Sequence, residues 1–236
     1  MSINGPPFLM GTNTPMEQYR HDTFWTKEPE TIAWIESFGP DDVFFDIGAN
    51  IGVYSLYAGW LKEEKQSHPG LEIYAFEPVE VNYQQLIRNK KDNEFSKWFR
   101  TWRCAVGGYS GCCLLQVPKT ACGESGAQVV KNTGGTPIWT LDDLLERQYI
   151  QQPTHIKIDI DGQELEVLKG AQKTLQTVQS VLVEVSERTK NRCVRLMLDA
   201  GLVPFDEINN MIPHSRFRRA AEGIDAENIV FTRRTH

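Results

Sequence analysis

The sequence predicts a doubly wound α/β fold on a mostly parallel sheet, and three observations carry that expectation. Val43–Leu56 reads VFFDIGANIGVYSL, an apolar run, then a glycine loop, then a helical pattern. This is the order of a strand feeding a helix across a ligand-binding edge. Strand and helix patterns alternate from there to residue 106 and again from 155 to 200, the rhythm of βα units. Asp46, Glu77 and Asp159 stand at or near the carboxyl ends of three predicted strands, the edge on which such sheets bind ligands.

Taken in order, residues 1–20 read as coil or a loosely held lid. A helix is expected from Thr26 onward, with Thr26 as its cap and Pro29 in the first turn, where a missing N–H costs nothing. Gly39–Asp42 turns into the first strand, 43–47, and its helix fades near Lys62–Lys65. His68-Pro69-Gly70 turns the chain into a second strand, 71–76, followed by a helix over 81–91. A third strand is expected over Trp98–Val106. Residues 109–140, rich in Gly, Ser and Thr, break the rhythm and read as a hairpin or a long, weakly structured excursion. Beyond it come a short helix at 141–147, a strand at 155–160 and a helix over 162–175. A strand at 178–185, a helix over 188–200 ended by Gly201, and a last strand at 228–232 complete the order. A polar, arginine-bearing loop, Asn209–Glu222, precedes that strand.

With 236 residues the chain fits one domain, 1–236. Residues 1–40 form its N-terminal lid or helical extension and 41–236 its core. A net charge of −6 and a pI near 5.5 exclude a broad nucleic-acid footprint. Five cysteines without a C-x-x-C pair exclude a disulfide scaffold and a zinc site. No apolar stretch approaches the ~18–20 residues of a membrane span, and MSINGPPFLMGTN lacks the build of a signal peptide. A cytoplasmic location is expected.

The glycine loop also narrows the ligand. Gly48 and Gly52 are four apart with Asn50 between, not a G-x-G-x-x-G fingerprint, so a pyrophosphate clamp is poorly supported. Glu77 follows Gly52 by 25 residues, where a ribose-binding carboxylate falls in nucleotide folds; the alternative is a charge favoured at the next helix start. Asp46 either meets the ligand or caps the loop. A nucleoside with an amino-acid-like end, as in S-adenosylmethionine, fits best. Alternation puts Lys157, Asp159 and Asp161 on one side of their strand, with Asp161 and Glu164 spaced as a capping-box variant.

FFDIGANIGVYSL, AFEPVEVNYQQLIRN, CAVGGYSG and HIKIDIDGQELEVLKGA resemble the successive motifs of the FkbM family of S-adenosylmethionine-dependent methyltransferases, and TKEPETIAWI upstream is similar to family sequence. Together they span roughly residues 24–185. The resemblance implies a class I methyltransferase fold, Rossmann-like, with seven strands of which the last is antiparallel, and O-methylation. It places the cofactor loop on Asp46, Gly48, Asn50 and Gly52, the ribose acid on Glu77, and adenine near Cys104-Ala105-Val106. The family pattern K-I-D-V-E-G-A-E is met here with Asp161 for the usual glutamate and Gln163 for the alanine.

Methyl transfer to a hydroxyl needs alignment and a group that receives the hydroxyl proton. Asp159 is the expected base or orienting group, held ionised by Lys157, with Glu184 at the next strand's end assisting. The expected partner is a small hydroxylated acceptor: a sugar, glycan or secondary metabolite. A metal site is not expected, because no octahedral ligand set is identifiable. None of the five histidines has ligand or triad spacing. Tyr19, His21 and Trp25 read either as an acceptor-side lid or as core contacts. The Arg216–Arg219 run matters only for an anionic acceptor. Two rival readings are a nicotinamide-dependent dehydrogenase and a cofactor-binding module without catalysis.

Overall fold

The computed structural model describes residues 5–117, 121–131, 134–205 and 226–233. Three helices lead in: α1 (Pro15–Asp22), α2 (Phe24–Lys27) and α3 (Pro29–Glu36). The α1 helix, where the sequence pattern suggests coil or lid, starts on a reciprocal capping box between Thr14 and Glu17, satisfying two helix-end groups at once. The cap of α3 is Glu28, with Pro29 at its first position, while the expected cap, Thr26, lies inside α2.

The central sheet follows from β1 (Val43–Ile47), α4 (Val53–Glu63), β2 (Glu72–Phe76), α5 (Glu80–Asp92) and β3 (Phe99–Trp102). An excursion of β4 (Ala105–Val106), β5 (Gly111–Gln116), β6 (Gln128–Lys131) and β7 (Thr136–Trp139) comes next. The chain returns through α6 (Leu141–Glu146), β8 (His155–Ile158), α7 (Glu164–Lys169), β9 (Ser180–Ser186), α8 (Lys190–Asp199), β10 (Leu202–Pro204) and β11 (Ala226–Arg233). The seven-stranded sheet has the order β10-β11-β9-β8-β1-β2-β3. The neighbours from β9 through β3 pair in parallel, and β11 runs antiparallel to both strands beside it. The expected antiparallel last strand is present, inserted between β9 and β10.

Side-chain alternation divides the core. Phe45, Ile47, Ile156, Ile158, Val181 and Val183 meet α6, α7 and α8 on one face. Phe44, Ile73, Ala75, Leu182 and Val230 meet α3, α4 and α5 on the other. At about 25 cal/mol per Å² of apolar surface removed from water, these two layers dominate the stability of the sheet.

Two expected elements divide in the structure. The third strand stops at Trp102, because β2 ends at Phe76 and the last bond along that pair is Glu77 N–H to Trp102 O, 3.0 Å. The chain then crosses to β4, which pairs with β7 in a second, four-stranded sheet, β4-β7-β5-β6. The excursion is therefore a small sheet, where the sequence suggested a hairpin or weak structure. Similarly, the helix expected over 162–175 ends at Lys169 and resumes as one tight turn, Thr174–Gln176. Gly170 intervenes there, packed so closely on the Gly107 carbonyl that any side chain would collide with it.

Candidate active site

The crevice opens where β1 ends. After Ile47, the N–H groups of Gly48 and Ala49 both donate to Phe76 O at 3.0 Å, fastening the loop to β2. Gly48 has φ +81°, and a Cβ there would collide with the carbonyl oxygen of Asp159. This is a glycine required both by conformation and by space. Asn50 also takes a left-handed φ of 53°, stabilised locally by Ile51 N–H donating to its Oδ1 at 2.9 Å. Gly52 then begins α4.

Glu77 closes the opposite wall. Its Oε2 accepts from Asn50 N–H and its Oε1 from Val79 N–H, each at 2.8 Å. Burial pushes its carboxyl up to about 7, against the pull of those two donors and of Arg20. Each oxygen accepts one N–H here, and a carboxylate has about four acceptor sites, so capacity remains for two further donors.

Behind the loop lies a charged layer on the α3–α4 face. Asp46 and Lys157 are register partners. Asp46 accepts from Ser55 Oγ at 2.6 Å through Oδ2, while its buried Oδ1 has no hydrogen-bond partner among the described residues. Burial raises the Asp46 carboxyl despite Lys157 and Ser55. Lys157 Nζ donates to Asp159 Oδ2 at 2.8 Å and lies 5.1 Å from the Tyr54 ring centroid. Burial disfavours the Lys157 charge, but Asp159, Asp46 and Glu28 outweigh it and hold the ammonium protonated. Burial would likewise raise Asp159, yet the Lys157 charge prevails and keeps its carboxyl below the usual range. Asp159 keeps 26% side-chain exposure against 2% for Lys157, so the acid meets solvent and the cation does not.

Gly48, Asn50, Glu77 and Asp159 thus line one crevice, with Arg20, Asn82, Asp161 and residues 124, 125 and 127. An apolar slot continues from it between Ile47, Phe76, Cys104, Ala105, Val106, Leu115 and Val129, sharing Gly48, Pro78, Ala127 and Ile160 with the crevice. Asp46, Gly52 and Lys157 are outside the lining: Asp46 is tied to α4 through Ser55, Lys157 to Asp159, and Gly52 is the N-cap of α4. Glu184 stands apart, opposite Asn228 on β9 and outside the lining. Asp161 does not form the capping pair suggested by its spacing: its backbone turns left-handed at φ 56°, and its Oδ2 accepts from Gly126 N–H at 2.6 Å. Glu164 instead accepts from Gly162 N–H at 2.8 Å.

Four features of this site escape sequence reasoning. Arg20, Asn82, Glu28 and the strap 121–127 come from segments with no nucleotide-fold spacing. Asn82 accepts from Gly123 N–H at 2.9 Å and donates to Glu124 O at 3.1 Å, and Asn50 Nδ2 donates to the same carbonyl at 2.9 Å. The Thr14-x-x-Glu17 box, with Pro15 at the first helical position, is the local signal that marks the Arg20 helix. Of the aromatic residues near it, Trp25 packs on Phe24 and Tyr57 and is not in the crevice lining. Among the described residues, no group of three or more His, Cys, Asp or Glu is arranged to hold a metal ion, and no helix is long and apolar enough to cross a membrane. The Asn209–Glu222 loop and the Arg216–Arg219 run lie outside the described residues.

Comparison with known proteins gives this geometry a context. The chain is 29% identical over 153 residues to the hexuronic acid methyltransferase AglP of Haloferax volcanii, covering 64% of this chain and 59% of that protein. It is 38% identical over 72 residues to the 31-O-demethyl-FK506 methyltransferase FkbM of Streptomyces tacrolimicus, covering 30% of this chain and 25% of that one. The chain therefore spans less than two thirds of the length of either. Its fold resembles that of magnesium protoporphyrin IX methyltransferase from Synechocystis, with a TM-score of 0.50 at 10% identity, over 99% of this chain and 88% of that one. The methyltransferase FkbM domain matches residues 46–219, well over half of the sequence, and the chain belongs to that family.

Proposed function

We propose that this protein is an S-adenosylmethionine-dependent O-methyltransferase acting on a hydroxyl of a sugar or another small hydroxylated metabolite. One observation carries the reading: Gly48, Asn50, Glu77 and Asp159 line a single crevice in a chain of the FkbM methyltransferase family. The residues fit a sulfonium nucleoside. Glu77 has acceptor capacity for two ribose hydroxyls, the slot beside Ala105 suits a purine, and the acidic lining suits a cationic ligand. The sheet order, with β11 antiparallel inside it, also differs from the 3-2-1-4-5-6 order of dinucleotide folds, which weighs against a dehydrogenase. Hexuronic acid and the 31-O position appear in the names of two relatives, and both favour oxygen acceptors.

When bound, the donor supplies a methyl group on a positive sulfur for in-line displacement. The chain's part is alignment and charge. Gly48 lets the loop approach β8, the direct Asn50–Glu77 hydrogen bond fixes the carboxylate beside the loop, and Asp46 holds the start of α4 from behind through Ser55, next to the turn at Gly52. Asp159 accepts the acceptor hydroxyl's hydrogen bond. Lys157 keeps it ionised and also makes it a weak base, so Asp159 orients the hydroxyl first and takes its proton late, once methylation makes the oxygen acidic. Glu184, outside the lining, is assigned no step. The N-terminal extension adds Arg20 to the crevice lining of the same single catalytic unit, whose expected setting is the cytoplasm. The test is incubation with isotope-labelled S-adenosylmethionine and a panel of hydroxylated sugars and metabolites, read by mass spectrometry. Gain of one labelled methyl on oxygen supports the reading; label on nitrogen or carbon, or none on any acceptor, contradicts it.

A further inference from the structure

The crevice carries charge unevenly. Its lining includes the acidic residues Glu77, Glu124, Asp159 and Asp161 but, among the described residues, a single cationic one, Arg20. Arg20 lies in the last turn of α1, which is held in place by its capping box and by Thr14 Oγ1 donating to Cys122 O at 2.9 Å. Arg20 Nε donates to Gly123 O at 2.9 Å. Among the described residues, that is the guanidinium's sole hydrogen bond, so its two terminal nitrogens stay available as a planar fork. Its charge counters the burial of both Glu77 and Asp161, with which it lines the crevice.

Resting on the donor reading above, we infer that Arg20 receives the α-carboxylate of the donor's amino-acid end. The donor carries two positive groups, ammonium and sulfonium, which the acidic lining accommodates. Its one negative group would be repelled there without a cation. A guanidinium matches a carboxylate with two parallel N–H donors, which a lone ammonium does not. The obvious competitor is the start of α4, but its first residues, Val53, Tyr54 and Ser55, are outside the crevice lining, and the N–H groups of the loop just before it are engaged: Ile51 N–H donates to Asn50 Oδ1 at 2.9 Å and Gly52 N–H to Ala49 O at 2.8 Å. The assignment makes α1 a donor-side element. It also joins donor recognition to the strap, since the residue that reads the carboxylate also holds the Gly123 carbonyl.

The test compares two nucleosides by calorimetry: S-adenosylhomocysteine, and 5′-methylthioadenosine, which keeps the adenosine but lacks the amino-acid end. Arg20→Ala is expected to weaken S-adenosylhomocysteine by about 10- to 100-fold, the range for losing a charge-assisted pair, while leaving methylthioadenosine unchanged. Arg20→Lys, with charge but no fork, should fall between. Equal losses for both nucleosides would overturn the assignment, because Arg20 would then act only by holding the strap. No loss for either would overturn it as well. A wild-type protein that binds neither nucleoside overturns the donor reading and this assignment together, whereas failure of the ratio alone removes only Arg20.

Discussion

Glu77 is the group through which the proposed donor side is most directly tested. Its carboxyl rises from an ordinary 4.5 to about 7, chiefly through burial. The sign follows from linkage: the folded state holds the proton more tightly than the unfolded chain, so this group's stabilisation is complete below 4.5 and is lost as pH rises through about 7. The loss is on the order of 3 kcal/mol. Denaturant titrations of the ligand-free protein should therefore show wild type losing stability relative to Glu77→Gln between pH 5 and pH 8, an interval of about three units around that pKa. Ribose hydroxyls favour the ionised carboxylate, so nucleoside affinity should rise over the same interval and Glu77→Gln should flatten that rise. At pH 8, Glu77→Ala should weaken donor binding by about 1–3 kcal/mol. A pH-independent affinity in wild type would remove Glu77 from ribose recognition.

At the scale of elements, the strand–loop–helix unit is the part of the site most legible in sequence. The apolar run of 43–47, the two glycines and the acid 25 residues on are local patterns with local causes. Gly48 shows how strict they are: a side chain there meets both a left-handed backbone and the Asp159 carbonyl. Gly48→Ala should cost about 2–4 kcal/mol in chemical denaturation; a loss within about 0.5 kcal/mol, the range of neutral surface changes, would mean the loop has room to shift. What sequence conceals is whatever depends on distant segments meeting. Arg20 reaches Gly123 across 103 positions, and Asn82 reaches it across 41. The break of the third strand at Trp102 likewise depends on where β2 ends, and the small sheet of 105–139 depends on β4 finding β7. The end of α7 falls at Gly170, a residue held to glycine by its approach to the Gly107 carbonyl, which local sequence does not reveal.

At the scale of the whole molecule, the alternation of βα units gives the layered architecture, and the resemblance supplies the antiparallel β11 that alternation alone does not foresee. The sheet then performs a single spatial task. It brings Gly48 from β1, Glu77 from β2 and Asp159 from β8 to one edge, and stacks the Asp46–Lys157 pair behind that edge as a fixed electrostatic support. Preorganised charge of this kind acts on turnover more than on binding. The most direct test of the account is Asp159→Asn assayed beside wild type for label transfer from S-adenosylmethionine to a hydroxylated acceptor, with donor affinity measured on the same samples. Donor binding is expected close to wild type and turnover reduced about 10²–10⁴-fold, the range for a positioned acid–base group. Turnover equal to wild type at unchanged donor affinity would contradict it.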